Sequence, residues 1–303
     1  MKFFKDVLKN KVLLSMTIPV VVYYLLFNYL PMFGLTMAFK NVSFTRGILK
    51  SPWNGLSNFE FLFKTADAWI ITRNTLLYNL MFIVVGMTLA MCLAIIYDIL
   101  GKSKLNRVNQ SLSLIPHFMS WVVASYFVYG FLSPDKGIIN QAIIALGGEG
   151  IEWYGEKRYW PFILLFCNIW KHIGYDSIIY YSNIKGFDAE IYEAARIDGA
   201  NWFQQIKYIT FPMLKSIIIV LGILKVGSIF YSDFGLFYLV PKNSGPLYSV
   251  TSTIDTYVYN GLMGGGNLGM TAATGFYQSL VGFVLVLTVN AIVRKISPED
   301  AMF

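Results

Sequence analysis

Six long apolar stretches dominate this 303-residue chain, and they constrain its fold more than any motif does. Crossing a bilayer core takes about 20 residues of helix, and irregular backbone at that depth finds no water to bond. The stretches fall at roughly residues 12–33, 75–100, 112–132, 160–182, 212–238 and 270–293. Charged residues make up 14% of the chain, where a soluble domain carries about a quarter. The expectation is an all-α polytopic membrane protein, with residues 1–303 forming a single transmembrane domain of six helices.

Basic residues beside short loops set the orientation of such a bundle. Lys2, Lys5, Lys9 and Lys11 precede the first span, with Asp6 the only acid among them. That span is too long for a signal-peptide core and has no small-x-small cleavage site, so it reads as uncleaved. Lys102, Lys104 and Arg107 follow the second span, and Arg294 and Lys295 follow the sixth. These place both termini in the cytoplasm. Lys40, Arg46, Lys50, Lys64 and Arg73 lie on the expected outer side and count against that orientation. An even number of spans still keeps both terminal basic clusters on one face. The net charge of +7 is then mostly topology, and no nucleic-acid partner is implied.

Cys92 and Cys167 both fall inside spans and read as small core residues. His117 and His172 are the only histidines, too few and too differently placed for a metal site. Trp53, Trp69, Trp153 and Trp160 sit in or beside the outer segments 41–67, 133–159 and 241–269. Indoles favour the membrane interface, so anchoring is expected of all four, with stacking on a carbohydrate as the sharper alternative.

One polar loop, residues 186–212, is built differently. Ile191, Ala194, Ala195 and Ile197 give a short apolar helical face, with Glu190, Glu193 and Arg196 polar. Gly199 is placed beyond a helix C-terminus, where positive φ costs glycine nothing. Asn201 with Gln204 forms a capping-box pattern for a second helix, and Pro212 suits the first turn of the fifth span. So much specified structure on a cytoplasmic loop implies a docking partner.

The spacing Glu193-Ala194-Ala195, three residues, Gly199, nine residues, Ile209-x-x-Pro212 resembles the EAA loop of binding-protein-dependent ABC importer permeases. Phe211 stands where that family usually has leucine, a bulky apolar exchange. The longer run Tyr192–Ala200 looks like the carbohydrate, maltose-type branch. The resemblance implies that the first helix of the loop is a coupling helix seated in a groove of a cytoplasmic ATPase subunit. Glu193, Ala194, Ala195, Asp198, Gly199 and Ala200 would be the docking residues. Glu193 would meet a basic group, the alanines would allow close approach, and Gly199 would let the chain turn. It also implies a second permease subunit (similar or identical), two ATPase subunits, an extracellular solute-binding lipoprotein and a bacterial cytoplasmic membrane.

The energy source must be another chain, because no Gly-x-x-x-x-Gly-Lys-[Ser/Thr] loop occurs. No cofactor is expected on this chain, and ATP and Mg belong to the partner ATPase. Gly264-x-Gly266-x-x-Gly269 matches a dinucleotide fingerprint in letters, but it precedes a membrane span and lies outside any βαβ unit.

Charges inside the spans sharpen the picture. Lys171, Asp176, Lys225 and Asp233 would together cost roughly 10–14 kcal/mol if all faced lipid at mid-depth. They must face a cavity or a partner. Helical spacing sets His172 and Asp176 as an i, i+4 pair. A sugar pathway needs hydroxyl and amide partners and flat aromatic faces, which makes Lys171, Tyr175, Tyr231, Asp233, Tyr277 and Gln278 the candidate lining residues. Each could instead join helices by a bond worth about 0.6 kcal/mol.

The reading is a permease subunit of an ATP-driven ABC importer for a carbohydrate, an oligosaccharide in particular, working by alternating access. An ion-coupled secondary transporter would use Asp233 and Lys225 but would not need the docking loop. A membrane-embedded enzyme would need a convergent catalytic set, and none stands out.

Overall fold

The computed structural model describes residues 11–43 and 45–296. The terminal lysines Lys2, Lys5 and Lys9 lie outside the described residues. Among those described the protein is helical, and the only sheet-like pairing is an isolated antiparallel bridge between Lys40 and Trp53. The longer helices are α1 Lys11–Tyr24, α2 Ala66–Leu100, α3 Lys104–Phe118, α4 Trp121–Leu132, α5 Ile138–Ala145 and α6 Trp160–Lys185. They continue as α7 Ala189–Ile197, α8 Trp202–Gln205, α9 Lys215–Gly227, α10 Ile254–Met263 and α11 Leu268–Ile296. The chain forms two compact units, the described residues of Met1–Lys64 with Val258–Tyr277 and those of Thr65–Tyr257 with Gln278–Phe303.

In the first unit, α1 runs on through a π turn, Leu25–Tyr29, and a 3-10 segment, Leu30–Phe39. Phe39, Phe59 and Phe276 pack with ring centres 5.3–5.9 Å apart, Phe276 edge to face on the other two. Asn58, buried, donates to the carbonyls of Ala38 and Lys40 at 2.9 Å each. Lys40 is buried as well: its ammonium donates to the carbonyls of Ile48 and Leu49 and lies 5.2 Å from the Trp53 ring centre.

In the second unit, α2 is 35 residues long, about 52 Å, which exceeds the roughly 30 Å apolar core of a bilayer. It packs along α6 through small residues: Ala90 and Ala94, one turn apart, meet Tyr180, Ile184 and Leu214. A second cluster joins Tyr78, Trp160, Leu164 and Cys167 to Leu236, Phe237, Val240 and Leu247. Cys167 is therefore a buried core residue, while Cys92 is exposed, and neither is in a disulfide.

Among the described residues three helices are long and apolar enough to cross a membrane, Leu14–Phe39, Ala66–Leu100 and Leu268–Lys295. Two more spans appear only if each of two bent pairs is counted as one. The stretch expected as one span at 112–132 is broken: α3 and α4 meet at a 101° bend. Pro116 cannot donate within α3, and Ser120 adopts extended backbone and caps α4 by accepting from Val123 N. The stretch expected at 212–238 also breaks. The preceding helical segment Trp202–Met213 meets α9 at 56°, and α9 ends at Gly227. Helix resumes as a π turn at Gly235–Leu239. The 26-residue α6 is outside the apolar set, as its Asn168, Lys171, His172 and Asp176 would suggest.

The tryptophans divide. Trp53 and Trp69 are exposed, as anchors would be. Trp153 and Trp160 are buried, contrary to the interface expectation, because both indoles find protein acceptors. Trp153 donates to Asn140 Oδ1 at 2.8 Å and Trp160 to the Trp153 carbonyl at 2.6 Å.

Candidate functional site

The loop of residues 186–212, expected to dock, is set by local chemistry. Asp188 caps α7 by accepting from Glu190 N at 3.0 Å. The helix buries none of its residues. Glu193, Ala194, Asp198 and Gly199 are exposed, and Ala195 and Ala200 half-buried. Gly199 has φ +79°, the left-handed turn its position calls for. The Ala200 amide then reaches back to the Ala195 carbonyl at 2.9 Å. Asn201 and Gln204 form both arms of the capping box: Gln204 N donates to Asn201 Oδ1 and Asn201 N to Gln204 Oε1. Tyr192 and Thr210 share a hydroxyl hydrogen bond of 3.0 Å that ties α7 to the turn after α8.

Behind this loop lies a cleft of about 570 Å³ whose walls include Asp98, Lys185, Tyr192, Glu193, Arg196 and Trp202. Lys185 and Asp98 pair across it at 2.6 Å. Burial alone would lower the Lys185 pKa, but the hydrogen bond and charge of Asp98 outweigh it and hold the lysine above its ordinary value.

The polar residues of the spans are gathered at the two helix breaks. Lys171 of α6, only 6% exposed, donates to the carbonyls of Pro116 at 3.2 Å, His117 at 3.1 Å and Met119. These carbonyls lie at and just beyond the C-terminus of α3, where the 101° bend interrupts the helical ladder, and the Pro116 carbonyl accepts from Met119 N as well. The same ammonium lies 5.2 Å from the ring centre of Trp121, the first residue of α4. The Trp121 indole donates to Asp233 Oδ2 at 2.6 Å, and His172 Nε2 stands 3.8 Å from that oxygen. Asp233 Oδ1 meanwhile accepts from the amides of Gly235 and Leu236, restarting the helix after its break.

The carbonyls and amides of the break beyond α9 are also taken up. Asn79 donates to the carbonyls of Ile229 at 2.9 Å and Tyr231 at 3.2 Å. Gln278, 5% exposed, donates to the Phe230 carbonyl at 2.6 Å and to Asp255 Oδ1 at 3.1 Å. Asp255 Oδ2 accepts from the Ser232 amide at 2.7 Å and hydroxyl at 2.6 Å. Non-helical backbone at membrane depth is tolerated only when its polar groups are met in this way.

The six expected pathway residues thus have unlike surroundings. Lys171 and Gln278 are buried and committed to backbone carbonyls, and Asp233 is shared between an indole and two amides. Tyr175 is half exposed and stacks on His117 at 4.3 Å. Tyr231 is 47% exposed, with its hydroxyl 3.4 Å from Ser279. Tyr277 belongs to the other unit and is half-buried. The expected His172–Asp176 pairing is not what forms. Asp176 meets Lys225 at 2.8 Å and His172 faces Asp233, because partners on other helices lie closer than those a turn away.

A second, smaller cleft of about 180 Å³ contains Asn79, Asn168, His172, Asp176, Lys225 and Ser228 among its walls. None of the six expected lining residues is there. Trp121, Asn79 and Asp255 were not singled out by sequence reasoning, although a lone asparagine within the apolar run 75–97 was a usable signal.

A bundle of apolar helices with hydrogen-bonded helix breaks and an exposed, self-capped loop fits a transport permease. Comparison with known proteins makes this specific. Residues 86–298 match the family of binding-protein-dependent transport system inner membrane components, and the chain belongs to that family. It is 33% identical over 292 residues to the polygalacturonan/rhamnogalacturonan transport system permease protein YteP of Bacillus subtilis (strain 168), covering 96% of this chain and 90% of that protein. The trehalose/maltose transport system permease protein MalF of Thermococcus litoralis is 25% identical over 284 residues, 93% of this chain and 92% of that protein. Among solved structures, a bacterial ABC transporter involved in the import of the acidic polysaccharide alginate superposes with a TM-score of 0.89. It is 29% identical and covers 98% of this chain and 100% of that one. The chain is a multi-pass membrane permease subunit and not itself an enzyme.

Proposed function

We propose that this chain is the permease subunit of an ATP-driven importer that carries a carbohydrate, specifically an oligosaccharide, across a bacterial cytoplasmic membrane. It would act with a second permease, two ATPase subunits holding ATP and Mg, and an extracellular solute-binding lipoprotein. Six spans with both termini cytoplasmic remain the topology we favour, with the bent pair α3–α4 crossing once, the broken stretch 212–238 crossing once and α6 crossing despite its charges. Relatives named for trehalose, maltose and pectic polysaccharides support the substrate class. A solved relative complexed with an alginate pentasaccharide-bound periplasmic protein supports both the chain length of the sugar and the binding-protein partner.

The observation that carries the reading is the exposed helix α7 with its left-handed glycine and capping box, where neither α7 nor α8 buries a residue in the bundle. Glu193 would meet a cation of the ATPase while Ala194 and Ala195 allow close approach. ATP-driven closure of the ATPases would pull two such loops together and turn the permease pair outward. Glu193→Lys reverses the contact charge, and Gly199→Val forbids the turn. Both variants should insert normally while uptake and binding-protein-stimulated ATP hydrolysis fall at least tenfold, about the effect of 1.4 kcal/mol. Normal transport by both would refute the docking assignment.

A further inference from the structure

Trp121, at the start of α4 in the second unit, has no assigned role. Three independent contacts converge on it. Lys171, bound to the carbonyl end of α3, faces one side of its ring. Its indole N–H is spent on Asp233 at 2.6 Å. The backbone of Gly235 lies against it so closely that a Cβ there would stand 2.3 Å from Trp121 Cδ1. Through this one indole the bend between α3 and α4 is tied to the break beyond α9, with α6 supplying the cation.

We propose that Trp121 is a positioning residue for transport: its bond to Asp233 latches the two helix breaks together, so that they bend or straighten as one. This rests on the transport reading above. The carboxylate is divided, Oδ1 on the amides of Gly235 and Leu236 and Oδ2 on the indole, with His172 Nε2 3.8 Å from that second oxygen. The helix restart and the latch are thus served by different oxygens and can be separated by substitution. Releasing the latch frees each break to move alone and lowers the cost of leaving the state seen here.

Trp121→Phe keeps an aromatic ring beside Lys171 and removes the N–H together with the second ring of the indole. Asp233→Asn keeps one oxygen for the helix cap but turns an amide NH2 toward the indole, so it too breaks the latch. The test uses the full transporter complex in liposomes and measures ATP hydrolysis with and without the binding protein, beside melting temperature. Each variant should raise hydrolysis in the absence of binding protein by about tenfold, the shift that loss of one charge-assisted hydrogen bond from one of two states gives. The double variant should rise no further, since both changes remove the same bond. Gly235→Ala, which drives a methyl into the ring, should behave like Trp121→Phe. Additive effects in the double variant would overturn the latch. So would lower melting temperatures at unchanged basal hydrolysis. If the wild-type complex shows no stimulation by binding protein, the transport reading itself falls and the latch with it.

Discussion

The loop of residues 186–212 and the polar seam at the helix breaks are both rich in polar side chains, yet they are held by opposite means. In the loop, capping is local: Asp188 to Glu190, Asn201 to Gln204, Ala200 to Ala195. Its contact face is left open. In the seam almost every polar group is spent on a distant partner, Lys171 on α3, Asn79 and Gln278 on the break beyond α9. A loop that satisfies itself can offer its surface to another subunit. A seam of broken helices at membrane depth must satisfy its own backbone first, and whatever it does for transport it does through those bonds.

Substitutions should therefore separate the regions. Lys171→Met leaves three carbonyls without their cation and should cost about 3 kcal/mol, the largest loss of thermal stability in the protein. Gly199→Val should come next, at roughly 1–2 kcal/mol of local strain, read as loop disorder by hydrogen exchange rather than as a lower melting temperature of the bundle. Asn201→Ala removes one arm of the capping box, worth about 1 kcal/mol, and should weaken coupling of ATP hydrolysis to uptake more than it weakens folding. Asn79→Ala should cost about 0.6 kcal/mol by the same melting assay. Tyr231→Ala, at a half-exposed site, should fall within about 0.5 kcal/mol of wild type while altering uptake. If Tyr231→Ala melts as early as Lys171→Met, the division between open and committed side chains does not hold.

The same contrast explains what could be read from the sequence. Every feature of the loop that sequence spacing indicated depends on residues within five positions of one another, so the helix, glycine turn and capping box were legible. The seam was not. Lys171 reaches carbonyls about 55 residues away, and no periodicity points there. The i, i+4 rule suggested His172 with Asp176, but α9 supplies a lysine for Asp176 and the break beyond it supplies Asp233 for His172. The long apolar runs concealed the breaks at Met119–Ser120 and beyond Gly227, since hydropathy does not register the backbone. The basic residues of the first outer segment, awkward for topology, are in part explained by structure. Lys40 binds the carbonyls of Ile48 and Leu49, Lys64 pairs with Glu60 at 2.5 Å, and Arg73 donates to the Ser249 carbonyl at 3.0 Å. Cations recruited for local bonds are poor reporters of which side of the membrane they occupy.

The most direct measurement places the loop and its partner together. Ile197, 87% exposed at the end of α7, is replaced by cysteine after Cys92 and Cys167 are changed to serine, and an impermeant thiol reagent is applied. A cytoplasmic docking loop predicts no labelling in intact cells, full labelling in inside-out vesicles stripped of the ATPase, and protection when the ATPase is added back. Labelling from outside intact cells, or labelling that the ATPase leaves unchanged, would contradict it.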